Sequence, residues 1–127
     1  KPSKVLKGCD YVLVYDDEHA VRSMQIDRPV FDQINLGTGG VIVTAPGESC
    51  DFVSRFFTPQ ATILEDPVTG SAHCSLVPYW SGIFGKTELT AQQLSVRGGF
   101  LNCHLVGDRV HLIGEAVTTL QGTIHLD

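Results

Sequence analysis

The segment from Glu65 to His73 holds the residue types best suited to chemistry. It has the sequence Glu-Asp-Pro-Val-Thr-Gly-Ser-Ala-His and leads into a long apolar segment, predicted to form a helix from about Ser71 to Phe84. The first turn of a helix offers free backbone N–H groups and the positive end of the helix dipole, which attract a carboxylate or a phosphate. Asp66 lies just upstream of that turn. The spacing therefore predicts an anion-binding site beside an ionisable carboxylate.

The same residues also have ordinary structural explanations. An Asp that precedes Pro at a helix start is commonly a turn or capping residue, and Gly70-Ser71 often opens a helix for capping alone. Glu65 is expected to point away from Asp66, into solvent, because side chains alternate in an extended segment. Cys74 is a candidate from another enzyme class, since a cysteine in the first turn of a helix can be nucleophilic. His73 is poorly placed to activate it, however, so an apolar packing role for Cys74 is favoured.

Composition and charge exclude several classes of function. The 127 residues suffice for a single domain, 1–127, with a substantial apolar core. The net charge is −5 and the nine Lys and Arg residues are scattered, which argues against a nucleic-acid partner. No apolar run approaches the roughly 18 residues that a membrane-spanning helix needs, and no signal-peptide pattern opens the sequence.

The cysteines and histidines show no metal-binding or disulfide pattern. The spacing of Cys9, Cys50, Cys74 and Cys103 fits neither a zinc site nor a redox pair. We therefore expect reduced thiols in a cytoplasmic protein. His104 and His111 fall on adjacent candidate strands and could meet across a hairpin, where a metal site is the weaker alternative.

Apolar patterns predict a mixed α and β architecture. The helix after the acidic segment is apolar on almost every side, so we expect its neighbours to enclose it. Pro78, inside this helix, is expected to bend it. A curved, mostly antiparallel sheet closing around the helix would achieve this, while an ordinary core helix on one sheet face is the alternative. Strands are predicted at 11–15, 40–45, 51–57, 93–97, 100–106, 110–114 and 116–126.

Three segments resemble the phenazine-biosynthesis (PhzF-like) family. They are Glu65 to His73, Pro78-Tyr79-Trp80, and Gln93-Leu94-Ser95-Val96-Arg97-Gly98-Gly99. That family shares the diaminopimelate epimerase fold, in which two similar halves each wrap a sheet around a central helix and the active site lies in the cleft between them. The resemblance runs from about residue 11 to the end and matches the C-terminal half only. The fold class it implies is α+β, one half of such a protein.

The resemblance also implies roles for residues in the acidic segment. Asp66 would be the acid/base carboxylate, while Gly70 and Ser71 would present backbone N–H groups and a hydroxyl to a substrate carboxylate. Thr69 would line the same turn and help to bind the substrate. The reaction implied is isomerisation without a cofactor, by proton removal and return next to a carboxylate of a small acidic metabolite.

The resemblance implies that the other half of the active site comes from a partner domain or subunit. A catalytic glutamate and a Gly-His loop would belong to an N-terminal domain with no counterpart here, and the chain opens at Lys1 without a methionine. We therefore expect a piece of a longer protein or a homo-oligomer, with little or no isomerase activity on its own and an apolar face that self-associates. A non-catalytic module that binds carboxylates or another protein is the alternative.

Overall fold

The seven strands lie side by side in one sheet in the order in which they occur along the chain. The structure is a computed structural model that describes residues 1–126. Two neighbouring strand pairs, β2–β3 and β4–β5, are parallel and the other four pairs are antiparallel, so the α+β, mostly antiparallel prediction is confirmed. The strands are β1 (Lys4–Lys7), β2 (Tyr11–Val14), β3 (Val41–Pro46), β4 (Phe52–Phe57), β5 (Glu88–Gln93), β6 (Gly99–Val106) and β7 (Arg109–Ile113).

Helices fill the two crossovers that the parallel pairs require. Between β2 and β3 lie α1 (Glu18–Arg22) and α2 (Arg28–Phe31), and between β4 and β5 lies α3 (Gly70–Phe84). Asp17 and Asp27 cap the two short helices by accepting hydrogen bonds from backbone N–H groups, as their positions favour. No helix within residues 1–126 is long and apolar enough to cross a membrane.

The longest helix, α3, lies on one face of the sheet, and the sheet curves around it. Each of the seven strands contributes a side chain to the apolar cluster that contains the buried face of α3. A second cluster on the opposite face packs beneath α1, because alternate residues of β3 point to opposite faces. The buried residues of α3 are Ala72, His73, Leu76, Val77, Trp80 and Ser81.

Enclosure of α3 is less complete than its composition predicts. Cys74 and Pro78 are exposed on the side of the helix that faces away from the sheet, and Ile83 and Phe84 are exposed at its C-terminal end. The described chain therefore covers one side of α3 and leaves Cys74 and Pro78 on the other side uncovered.

Several segments differ from their predicted structure. The strand predicted at 93–97 is wrong: β5 stops at Gln93, and the next residues turn where Gly98 adopts a left-handed φ of +73°. No strand forms over residues 116–126, because nothing in the described chain pairs with them, and β1 was not predicted.

Candidate active site

The acidic segment forms a corner between β4 and α3. The Asp66 N–H donates to the carbonyl of Phe56, and Glu65 makes an isolated antiparallel bridge with Phe57, so the chain is extended here. Thr69 is the N-cap residue of α3, but no side chain caps the helix. The helix therefore begins at a sharp corner with its N-terminal amides free of any side-chain cap among the described residues.

A buried glutamine of β5 holds this corner in place. Gln93 has no exposed surface, although it is polar. Its Oε1 accepts from the Thr69 N–H at 2.8 Å, and its Nε2 donates to the Asp66 carbonyl at 2.8 Å and to Thr69 Oγ1 at 3.1 Å. From the sequence, Gln93 was predicted to lie in a strand and to have no role of its own. The sequence feature that could have indicated its burial is the alternation in β5, where the inward positions are Leu89, Ala91 and Gln93.

Thr69 uses all its polar groups within the protein. Its N–H is bonded to Gln93, its hydroxyl donates to Asp66 Oδ2 at 2.5 Å, and its carbonyl accepts from His73 Nδ1 at 2.8 Å. The residue is also buried. This geometry favours a role for Thr69 in orienting Asp66 over the direct substrate contact predicted from the sequence.

The remaining predicted site residues stand beside Asp66 at the surface. Asp66 is half-buried, and Gly70 and Ser71 are exposed. A Cβ added to Gly70 would meet only Leu112 Cδ1, at 3.7 Å, and the φ of Gly70 is not positive. Nothing in the described chain therefore requires glycine at position 70, which is the pattern expected where a ligand approaches the backbone closely.

Gly99, by contrast, is required by packing within the chain. A Cβ at Gly99 would lie 2.1 Å from Val68 Cγ2, far closer than van der Waals contact. The glycine allows the start of β6 to lie directly against the corner. Together with Ser95, whose hydroxyl donates to the Pro67 carbonyl at 2.7 Å, it fixes the position of the corner.

Glu65 is not the solvated residue that the sequence predicted. It pairs with Arg55 through two hydrogen bonds, Nε to Oε1 at 2.7 Å and Nη2 to Oε2 at 2.9 Å, and only 18% of its side chain is exposed. Arg55 Nη1 also donates to the carbonyls of Val21 and Met24. The pair therefore ties the corner to β4 and to the end of α1.

The alternative reactive groups gain no support from the geometry. The His73 ring is buried and its Nδ1 is bonded to the Thr69 carbonyl, so it is not placed to activate the exposed Cys74. His104 and His111 do face each other across the β6–β7 hairpin, with ring centroids 6.5 Å apart. Within residues 1–126, however, no group of three or more His, Cys, Asp or Glu side chains could hold a metal ion.

Burial of His73 predicts a loss of stability in mild acid. Burial lowers the pKa of His73 below its ordinary 6.5, and the hydrogen bond to Thr69 opposes this in part. The unfolded chain therefore binds the proton at a higher pH than the folded chain does. The stability contributed by the neutral, buried His73 is thus fully present above about pH 6.5 and falls as the pH decreases. We expect the free energy of unfolding, measured with urea between about pH 7.5 and pH 5, to vary less in His73→Gln than in the wild type.

His125 provides the matched control, because it is exposed near the end of the chain. His125→Gln should keep the pH dependence of the wild type. An equal pH dependence in His73→Gln and the wild type would show that His73 titrates alike in the folded and unfolded chain.

Comparison with known proteins identifies relatives that are about twice as long. A Pseudomonas aeruginosa protein named as an uncharacterized isomerase is 52% identical over 127 residues, which cover 98% of this chain and 48% of that protein. A crystal structure of a Clostridium difficile PhzC/PhzF protein superimposes with a TM-score of 0.88 at 42% identity, over 99% of this chain and 48% of that chain. An Enterococcus faecalis protein of the PhzF family gives a TM-score of 0.81 at 44% identity, over 93% and 48%.

The assignment of the chain to a family rests on a match over most of the sequence. The model of the family described as phenazine biosynthesis-like protein matches residues 6–122. The chain spans about half the length of the relatives it matches, 48% in each of the three comparisons. The chain therefore belongs to the phenazine biosynthesis-like (PhzC-PhzF) family.

Proposed function

We propose that this chain is the C-terminal half of a cofactor-independent isomerase, in which Asp66 handles the proton. The observation that carries the proposal is the half-buried Asp66 carboxylate, held by Thr69 beside the exposed, uncapped start of α3. A relative that is 52% identical carries the name isomerase, which supports the reaction class. The substrate is a small metabolite that bears a carboxylate.

The geometry suggests how the substrate would be held. The N–H groups of Gly70 and Ser71, with the Ser71 hydroxyl, would donate to the substrate carboxylate, and the helix dipole would favour its negative charge. The neighbouring carbon would then lie next to Asp66. We assign the reaction to two protein groups: one removes a proton from carbon and leaves the electron pair on the substrate, and the other returns a proton elsewhere.

The second proton-handling group is expected from outside this chain. Gly70 and Ser71 are exposed, so the proposed carboxylate-binding site, here called the carboxylate seat, is open on the solvent side. Apolar side chains also remain exposed: Ile83 on α3 and, in the last segment, Val117, Leu120 and Ile124. An N-terminal domain, or a second copy of the chain, would close the cleft and cover these side chains.

The test joins this chain to the N-terminal half of the Pseudomonas aeruginosa relative. The joined protein is incubated in D₂O with a panel of small carboxylic acids that have a C–H next to the carboxylate or to a conjugated acid. We expect deuterium incorporation into at least one acid, detected by NMR, and little or none with the 127-residue chain alone. Equal turnover by the isolated chain would contradict the proposal that it holds half a site.

A substitution at Gly70 tests the carboxylate seat. Gly70→Ala is expected to raise KM by about 10-fold or more, because the added methyl group lies where the carboxylate must approach the backbone. The thermal midpoint should stay equal or rise, since alanine is favoured over glycine in a helix by up to about 1 kcal/mol. The readouts are KM from the exchange assay and the melting temperature.

Gly82→Ala is the matched control for this substitution. Gly82 lies near the other end of α3, and a Cβ there would meet nothing within 4 Å. The Gly82→Ala variant should change the melting temperature in the same direction as Gly70→Ala and leave KM unchanged. An unchanged KM in Gly70→Ala would show that the start of α3 is not the seat.

A binding or interaction module is the second candidate, favoured by the exposed apolar segment at 114–126. It predicts that benzoate, a carboxylate probe, shifts the amide resonances of Gly70 and Ser71 while the joined protein exchanges no deuterium into any acid.

A further inference from the structure

The hydrogen bonds around Thr69 have directions that the backbone fixes. The Thr69 N–H can only donate, so the Gln93 side-chain atom 2.8 Å from it is the oxygen Oε1. The Asp66 carbonyl can only accept, so the Gln93 atom 2.8 Å from it is the nitrogen Nε2. Two backbone groups therefore determine the orientation of the buried Gln93 amide.

The Gln93 amide in turn fixes where the Thr69 hydroxyl directs its proton. The second hydrogen of Nε2 is donated to Thr69 Oγ1, 3.1 Å away. Within residues 1–126, the only acceptor in reach of the hydroxyl is Asp66 Oδ2. Because Thr69 is only 8% exposed, a hydroxyl proton directed elsewhere would be left without a hydrogen-bond partner, which is unfavourable for a buried polar group.

We propose that Gln93 is a positioning residue, which acts through Thr69 and reserves Asp66 Oδ1 as the oxygen that exchanges a proton with the substrate. The inference rests on the proposed function, in which Asp66 takes or returns that proton. Oδ2 is occupied as the acceptor of the Thr69 hydroxyl, whereas Oδ1 has no donor within hydrogen-bond distance in the described chain. In the transfer, the substrate C–H bond breaks, an O–H bond forms at Oδ1, and the electron pair stays on the substrate.

The arrangement would hold the carboxylate at one rotation about its Cβ–Cγ bond. With Oδ2 tied to Thr69, Oδ1 keeps a fixed direction relative to Gly70 and Ser71 at the start of α3. Proton transfer depends steeply on such alignment, since a displacement of about 1 Å can cost on the order of 100-fold in rate. Gln93 thus contributes to the rate without contact with the substrate.

The test measures kcat and KM in the joined protein for the panel acid that the wild type exchanges fastest. Thr69→Val removes the hydroxyl with little change of shape, and we expect kcat to fall about 10- to 100-fold with KM within about 2-fold. Thr69→Ser should recover most of the loss because it restores the donor. If Gln93 acts through Thr69, the double variant Gln93→Leu/Thr69→Val should have a kcat no lower than that of Thr69→Val alone.

Thr44→Val is the matched control, because it also replaces a buried threonine, whose hydroxyl donates to the Val53 carbonyl and accepts from Trp80 Nε1 outside the corner. It should lower stability and leave kcat within about 2-fold. A folded Thr69→Val variant with the kcat of the wild type overturns the inference, as does a Thr69→Ser variant that loses as much activity as Thr69→Val.

Failure of the proposed function is distinguishable from failure of this inference. If the wild-type joined protein exchanges no acid in the panel, the proposed function fails, and neutron diffraction from crystals of this chain decides the hydrogen-bond direction. A deuterium bound to Thr69 Oγ1 and directed at Asp66 Oδ2 supports the inference. A deuterium bound to Oδ2 overturns it.

Discussion

Replacing Asp66 by Asn is expected to lower deuterium exchange in the joined protein by about 10²- to 10⁴-fold, the usual contribution of a general acid or base. Asn has nearly the same shape as Asp, and its side-chain oxygen can still accept from the Thr69 hydroxyl. It cannot take up a proton, however. Carboxylate binding should therefore remain close to the wild-type value, because the amides of Gly70 and Ser71 are unchanged.

The measurement pairs exchange rates with benzoate binding, followed by NMR or calorimetry. Asp108→Asn, at the exposed turn between β6 and β7, is the control that removes the same charge away from the corner. Equal exchange rates in the wild type and Asp66→Asn would exclude Asp66 as the proton-handling group.

Replacing Arg55 by Leu is expected to lower the free energy of unfolding by about 3 kcal/mol or more, the range for breaking a buried ion pair. The substitution leaves the Glu65 carboxylate with little solvent and no cation, and it removes the donor from the Val21 and Met24 carbonyls. It also removes the guanidinium that lies 4.8 Å from the centroid of the Phe57 ring.

The cost is measured by urea denaturation and compared with that of an exposed pair. Arg28 pairs with Asp32 at side-chain exposures of 43% and 30%, so Arg28→Leu should cost about 1 kcal/mol or less. The double variant Arg55→Leu/Glu65→Leu should recover part of the stability, because it leaves no unpaired charge. A cost for Arg55→Leu no greater than that for Arg28→Leu would rule out a dominant role for the pair.

Local patterns predicted the parts of the fold in which one signal dominates. The apolar residues after Gly70 placed α3 within one residue of its observed start. The runs that became β2 and β3 were predicted because strands buried on both faces contain few polar residues. The position of the acidic corner between strand and helix followed from these elements.

The sequence could not show which partners the polar residues of the corner would find. Gln93 and Arg55 are distant in sequence from the corner residues they hold, and a polar residue in a strand is more commonly solvated than buried. The prediction that Glu65 is solvated failed for this reason. The run at 116–126 has a strand-like composition, but a strand also needs a pairing partner, and the described chain offers none there.

The chain order of the sheet has a consequence for the kinetics of folding. Each antiparallel pair joins strands that are close in sequence, so these pairs can form early and locally. The two parallel pairs must each close a longer loop, and the second of these loops contains Glu65, Asp66 and all of α3. Gln93, at the end of β5, reaches Thr69 only once that loop has closed. The proposed catalytic corner is therefore expected to gain its final geometry in one of the late, rate-limiting steps, after the hairpins have formed.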